Sequence, residues 1–232
     1  MARIIPPSEL VLNEQGLPYH IGIGKEQLSE NIILVGDQGR VKSVGKYLSN
    51  IDHENHNREF FSITGSYNGK RVSVLSTGIG TDNIDIVVNE LDAAVNFDLD
   101  SRTPLKELTS LNLIRIGTCG ALQSDLPVNS TVVSEWAIGL DGVRHFYAIE
   151  EHRDEERIRT MLEAFLGDDL HMNPLYVARA RQAAPAVLLD EAAVEGQAAI
   201  EAPPARGGLH GVDGDARRQA RRALGALLAH QL

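Results

Sequence analysis

A chain of 232 residues with 32 acidic and 22 basic side chains, a net charge of −10 and a pI near 5.2 fits one large domain or two small ones and is long enough to bury a core. That balance argues against a protein whose main role is to coat nucleic acid or an anionic membrane, while leaving room for a local cationic pocket. With Cys119 as the only cysteine, no internal disulfide can form and a reduced cytoplasm is the expected compartment. The opening residues lack a signal-peptide core, and no run reaches the roughly 20 apolar residues that span a bilayer, so a soluble protein is expected.

In chain order, residues 31–35 form an apolar run stopped by Gly36, and helical spacing follows over 41–48, which predicts strand, glycine turn, helix. Two β-rich segments, 60–64 and 71–75, flank Ser66-Tyr67-Asn68-Gly69, and Asn-Gly predicts a hairpin. The second segment runs into Gly78-Ile79-Gly80, after which Thr81 is expected to cap a helix to about Val95. Residues 111–116 predict a strand ending in Gly117-Thr118-Cys119-Gly120, and residues 132–138 another, closing at Gly139-Leu140-Asp141-Gly142. Strands alternating with helices, each closed by a glycine turn, predict an α/β fold built on a central sheet, with ligands past the carboxyl ends of the strands. The run 150–157 reads as an exposed loop entering a helix.

Composition shifts after about residue 176. The last lysine is Lys106 and the last asparagine Asn173, and the remainder is rich in alanine, arginine and glycine. Residues 1–176 are therefore taken as one α/β domain and 177–232 as an atypical segment. That segment reads either as a helical appendage, with a loop over 202–214 and an amphipathic helix over 215–228, or as the product of a reading-frame shift.

Three stretches carry candidate chemistry. Gly36-Asp37-Gln38-Gly39-Arg40 sits at a strand-to-helix turn, where backbone N–H groups, a helix N-terminus and a forked guanidinium suit an anion. A plain βα turn with Arg40 on a solvated face is the alternative. Ser76-Thr77-Gly78-Ile79-Gly80 lacks the third glycine of a dinucleotide fingerprint, so packing explains it better than a nicotinamide cofactor does. Arg115 lies in an otherwise apolar strand, where burial would require an anion or a carboxylate partner, and Thr118 follows at the strand end. A structural ion pair is its alternative. Cys119 is read as a small buried thiol, and His53, His56, His145 and His152 show no metal-site spacing, so no metal is assigned.

In this order and at this spacing the three motifs resemble the nucleoside phosphorylases, most closely the uridine phosphorylase branch. Gly36-Asp37-x-x-Arg40 resembles the family's Gly-Asp-Pro-x-Arg turn with Gln38 in place of proline. Ser76 to Gly80 resembles Ser-x-Gly-Ile-Gly, and Arg115 to Gly120 resembles Arg-x-Gly-Thr-x-Gly. Tyr19-His20-Ile21-Gly22, Asn57-Arg58-Glu59-Phe60 and Gly139-Leu140-Asp141-Gly142 extend the likeness over about residues 17–147. The resemblance implies a three-layer fold with a central mixed sheet between helices. It implies phosphate held by the Gly36 backbone, Arg40, Arg115 and Thr118, with Arg58 and His20 reaching across from a neighbouring subunit, His20 to the ribose 5′-hydroxyl, and Gly120 at the base. Arg115 and Thr118 would be the catalytic pair. The implied reaction is phosphorolysis of a nucleoside, a uridine-like pyrimidine nucleoside first, in a homodimer or ring of dimers, with phosphate as co-substrate and no other cofactor. A purine nucleoside phosphorylase and an inactive or truncated member that only binds phosphate or nucleoside are the alternatives. The aromatic base-reading segment and the Glu-Met-Glu stretch of the family have no counterpart in the sequence.

Overall fold

Period-two alternation with apolar residues on both sides marks a strand covered on both faces, and the segment at 31–35 behaves that way. The structure is a computed structural model and describes residues 3–120, 122–127, 130, 134–167 and 175–179. It divides into two units, Met1–Thr118 and Cys119–Leu232.

In the first unit β1 (Asn31–Val35) runs into α1 (Gln38–Gly45), followed by β2 (Ser49–Asn57), β3 (Phe60–Tyr67) and β4 (Lys70–Ser76). Then come α2 (Thr81–Asn96), the short pair β5 (Phe97–Asp98) and β6 (Thr103–Pro104), and β7 (Asn112–Ile116). The main sheet has the order β2-β3-β4-β1-β7. Its β2-β3-β4 part is antiparallel, whereas β1 pairs in parallel with both β4 and β7, so the sheet is mixed.

Each face has its own core. Ile32, Leu34, Phe60 and Leu75 pack with Val87, Leu91, Ala94 and Val95 of α2, while Val35, Phe61, Ile63 and Val74 pack with Val41 and Val44 of α1. Consecutive residues of one strand, such as Leu34 and Val35 or Phe60 and Phe61, thus serve opposite layers. The β3–β4 turn has Asn68 at φ 47° and Gly69 at φ 77°, the paired left-handed geometry that a tight hairpin demands.

Two sequence expectations need correction here. Thr81 is the first residue of α2 rather than its cap; the N-cap is Gly80, at φ 102°, a value that favours glycine, and no side chain caps the turn. The first helix begins at Gln38 and ends at Gly45, three residues earlier at both ends than the spacing implied, because Asp37 caps it through a 2.9 Å bond from the Arg40 N–H.

In the second unit β8 (Trp136–Gly139) pairs antiparallel with β9 (Tyr176–Arg179), and α3 (Arg153–Leu166) packs over them through Ile158, Leu162, Leu175 and Val177. The expected strand over 132–138 corresponds to β8, with Val132 and Val133 outside the described residues. The run 150–157 is, as expected, a loop that enters a helix at Arg153, and only Glu155 in it is buried. Buried Glu155 accepts the His152 N–H at 3.0 Å and the Arg179 N–H at 3.1 Å, and Arg159 bridges Glu151 and Glu163. The loop expected over 202–214 and the helix over 215–228 lie outside the described residues. Among the described residues no helix is long and apolar enough to cross a membrane.

Candidate active site

Parallel pairing brings strand ends together, and here it gathers the three sequence motifs. Val35 is in register with Ser76 of β4 and with Ile116 of β7, so Gly36, Thr77 and Gly117 all emerge at one carboxyl edge of the sheet. The Thr77 N–H donates to the Val35 carbonyl at 2.8 Å, and its buried hydroxyl donates to the Val35 or Gly78 carbonyl. Gly78, at φ 73°, has no room for a Cβ, which would come within 2.5 Å of Asn83 Nδ2. This second motif therefore builds the turn, and its Ser76 and Thr77 hydroxyls are both taken up by backbone carbonyls.

Arg40 and Thr118 meet at that edge. The Arg40 Nη2 donates to Thr118 Oγ1 at 3.3 Å, while its Nε lies 3.5 Å from Asp37 Oδ2. Asp37 thus caps α1 and aims the guanidinium toward the end of β7. Arg115 folds back along its own strand end: a Cβ on Gly117 would be 2.8 Å from Arg115 Nη1, and one on Gly36 would be 3.9 Å from Arg115 Nη2. Glycine at 117 is what lets that guanidinium lie over the backbone. Gly36, Arg40, Arg115 and Thr118 accordingly occupy one locale.

Arg115 was expected to be costly to bury. In the structure β7 is an edge strand among the described residues, and every one of its residues is exposed, Arg115 included, so solvent rather than an apolar interior meets the charge. Among the described residues no carboxylate pairs with Arg115. Cys119, expected to be buried, is exposed.

His20 and Arg58 form a separate cluster. Arg58 sits at φ 54° in the two-residue turn between β2 and β3, a conformation that costs a non-glycine residue about 1 kcal/mol. The Gln38 amide holds it there by donating to the Arg58 carbonyl at 2.5 Å, and the Gln38 carbonyl meets His56 Nε2 at 3.1 Å. The Arg58 guanidinium lies over the Tyr19 ring at 5.5 Å and reaches the Tyr19 hydroxyl at 3.3 Å. Asn57 Nδ2 donates to the Tyr19 and His20 carbonyls, pinning that segment to the hairpin. His20 Nδ1 is 2.6 Å from Glu90 Oε1. Gly120, the expected base-site residue, falls in the second unit with open space around its Cα.

Asp37 stands in the Gly36–Arg40 motif without a role of its own there, and Glu90 stands in none of the motifs. Asp37 carried a signal, a cap residue just before a helix; Glu90 carried none, because it lies 70 residues from its partner His20. Among the described residues no group of three or more His, Cys, Asp or Glu side chains is arranged to hold a metal ion.

Comparison with known proteins places this architecture. The family model described as Phosphorylase superfamily matches residues 30–210. The DeoD-type purine nucleoside phosphorylase of Alkaliphilus metalliredigens is 38% identical over 119 residues, 51% of this chain and 46% of that protein. The chain thus spans about half the length of the curated relatives it matches. Among solved structures, a Trypanosoma brucei nucleoside phosphorylase described as showing uridine phosphorylase activity superposes with a TM-score of 0.66 at 29% identity, covering 74% of this chain and 57% of that one. A structure from a study of two Phytophthora capsici uridine phosphorylases shares the fold, with a TM-score of 0.53 at 22% identity over 82% of this chain and 56% of that one. With residues 30–210 matched and a mixed sheet flanked by helices, this chain belongs to the Phosphorylase superfamily.

Proposed function

We propose that this chain binds inorganic phosphate at the shared carboxyl edge of β4, β1 and β7 and uses it to cleave a nucleoside to free base and ribose 1-phosphate, with uridine the favoured substrate. The observation that carries the reading is the convergence of the Gly36 turn, Arg40, Arg115 and Thr118 through the parallel register of β1 and β7. A phosphate oxygen attacks the anomeric carbon, a C–O bond forms, and the C–N bond breaks with its electron pair passing to the base. The transition state has oxocarbenium character, so the protein's task is to hold a polyanionic nucleophile against a carbon that is becoming positive. Two guanidiniums, a hydroxyl and a backbone turn do this by positioning and electrostatics without a covalent intermediate. Arg58 and His20 would serve the site of a neighbouring copy in a homo-oligomer, where Arg58 meets phosphate and His20 the ribose 5′-hydroxyl. The activity of the Trypanosoma brucei neighbour supports uridine. The 38% identity to a purine nucleoside phosphorylase favours inosine as the second reading.

The test is uptake of radiolabelled phosphate into ribose 1-phosphate with uridine, thymidine and inosine. Turnover of at least one is expected, and Arg115→Ala should raise the KM for phosphate by roughly 10- to 100-fold, the scale of a hydrogen bond to a charged group. Free ribose as the sole sugar product would exclude phosphorolysis. Phosphate that raises the thermal midpoint while no nucleoside turns over would instead favour a binding-only protein.

A further inference from the structure

Glu90, on α2, collects more donors than a helix-surface carboxylate needs. Its Oε2 accepts the backbone N–H of His20 at 2.9 Å and that of Ile21 at 2.8 Å, and its Oε1 lies 2.6 Å from His20 Nδ1. Its side chain is only 14% exposed, against 30% for His20. Tyr19 and Phe60 stand edge-on to the imidazole at 5.1 and 6.1 Å between ring centroids. The ring is therefore held on two sides and hydrogen-bonded at one nitrogen.

From this we infer that Glu90 is a positioning residue for sugar recognition: it fixes His20 as the Nδ1–H tautomer and presents Nε2 as an acceptor for the nucleoside 5′-hydroxyl. The inference rests on the reading of His20 as a ribose contact. A carboxylate is acceptor-only, so the proton in the 2.6 Å contact belongs to the imidazole. In a neutral ring the other nitrogen then has a lone pair and no hydrogen, and among the described residues none hydrogen-bonds it. The two backbone N–H bonds fix the carboxylate relative to the His20 main chain as well as its ring, so little freedom remains in where Nε2 points. Such an acceptor rewards a substrate that brings a hydroxyl and is left unmatched by one that does not.

The wild-type protein is assayed with its best nucleoside and with the 5′-deoxy form of the same nucleoside. A preference of about 10-fold in kcat/KM for the 5′-hydroxyl substrate is expected, on the order of one hydrogen bond. Glu90→Gln, which keeps the shape and an oxygen for the backbone N–H groups, should bring that ratio to within about 2-fold, as should His20→Ala; added to His20→Ala, it should move the ratio no further. Both rates falling together with the ratio preserved would make Glu90 only an anchor of the chain and overturn the inference. A second readout needs neither turnover nor a stable Glu90 variant. The 15N spectrum of the wild-type His20 ring, assigned with His20→Ala, should show the Nδ1–H tautomer, and a dominant Nε2–H form overturns the assignment. If the wild type turns over no nucleoside, phosphorolysis fails instead, and the tautomer decides the role of Glu90.

Discussion

At Gly139 only a hydrogen atom fits, since a Cβ there would lie 1.9 Å from Tyr176 Cζ on the neighbouring strand. The Tyr176 hydroxyl donates to the Asp141 carboxylate at 3.0 Å. Burial, together with that bond, pushes the Tyr176 phenol above its usual range. Gly139→Ala should therefore expel the ring and destabilise the second unit by about 1–3 kcal/mol, the usual cost of overpacking, read as faster hydrogen exchange in β8 and β9. Combining it with Tyr176→Ala should recover part of the loss, because the clash needs both groups; a double variant no better than the sum of the single ones would contradict the packing argument. This glycine was legible in the sequence as part of a motif, but its reason was not, since Tyr176 is 37 residues away. The same limit applies at the candidate site. Gly36, Arg40, Arg115 and Thr118 could be picked out because each stands at a strand end beside glycine, whereas the exposure of Arg115 depends on which strand forms the sheet edge, and the grip of Glu90 on His20 depends on how α2 docks. Neither leaves a local trace.

Among the elements, α1 shows how a short helix depends on its first turn. It has eight residues and only Val41 and Gly45 are buried, so packing alone gives it little, and isolated helices of this length are marginal. Asp37 then has two tasks, since its Oδ1 accepts the Arg40 N–H while Oδ2 faces the Arg40 guanidinium. Asp37→Ala is expected to lower the urea midpoint by an amount equivalent to about 1 kcal/mol, the typical value of a cap, and to weaken phosphate binding through Arg40. Asp37→Asn, which can still cap, should restore most of the stability but not the aim of the guanidinium. Elements with strong local signals read well: β1, the Asn68-Gly69 hairpin and α2 all follow from periodicity and turn chemistry. Strand β2 carries no strand signal of its own, because its sequence, Ser-Asn-Ile-Asp-His-Glu-Asn-His-Asn, is polar apart from Ile51 and lacks apolar alternation. It forms one edge of the main sheet, none of its residues is fully buried, and its pairing with β3 supplies what its own pattern lacks.

Over the whole molecule two electrostatic effects act as pH falls. The net charge of −10 at pH 7 is self-repulsive; protonating carboxylates relieves it down to the pI near 5.2, and below that a growing positive charge repels in turn. In addition, specific carboxylates in both units are held below their ordinary range by the folded structure. The Arg71 guanidinium does so for Asp52, the N–H groups of Ser101 and Asp100 for Asp98, and Arg159 for Glu151. Burial pushes Glu155 upward, but the His152 and Arg179 N–H groups more than offset it, and its net direction is also down. A group whose folded pKa is depressed contributes stability above its unfolded pKa, about 4 for these residues, and loses it as pH falls through the folded value. General repulsion is spread over the surface and screened within ~8 Å at physiological salt, whereas these bonds are short and local. Both effects lower stability below the pI: the thermal midpoint is expected to fall steadily as pH is taken from about 5 to 3, and the part owed to the short local bonds should persist in 0.5–1 M salt (roughly, where screening is ~3 Å). Glu155→Gln should flatten the fall by removing one of the protons taken up on unfolding. A midpoint that holds down to pH 3 in that salt would mean that the bonds to these carboxylates contribute little to the fold.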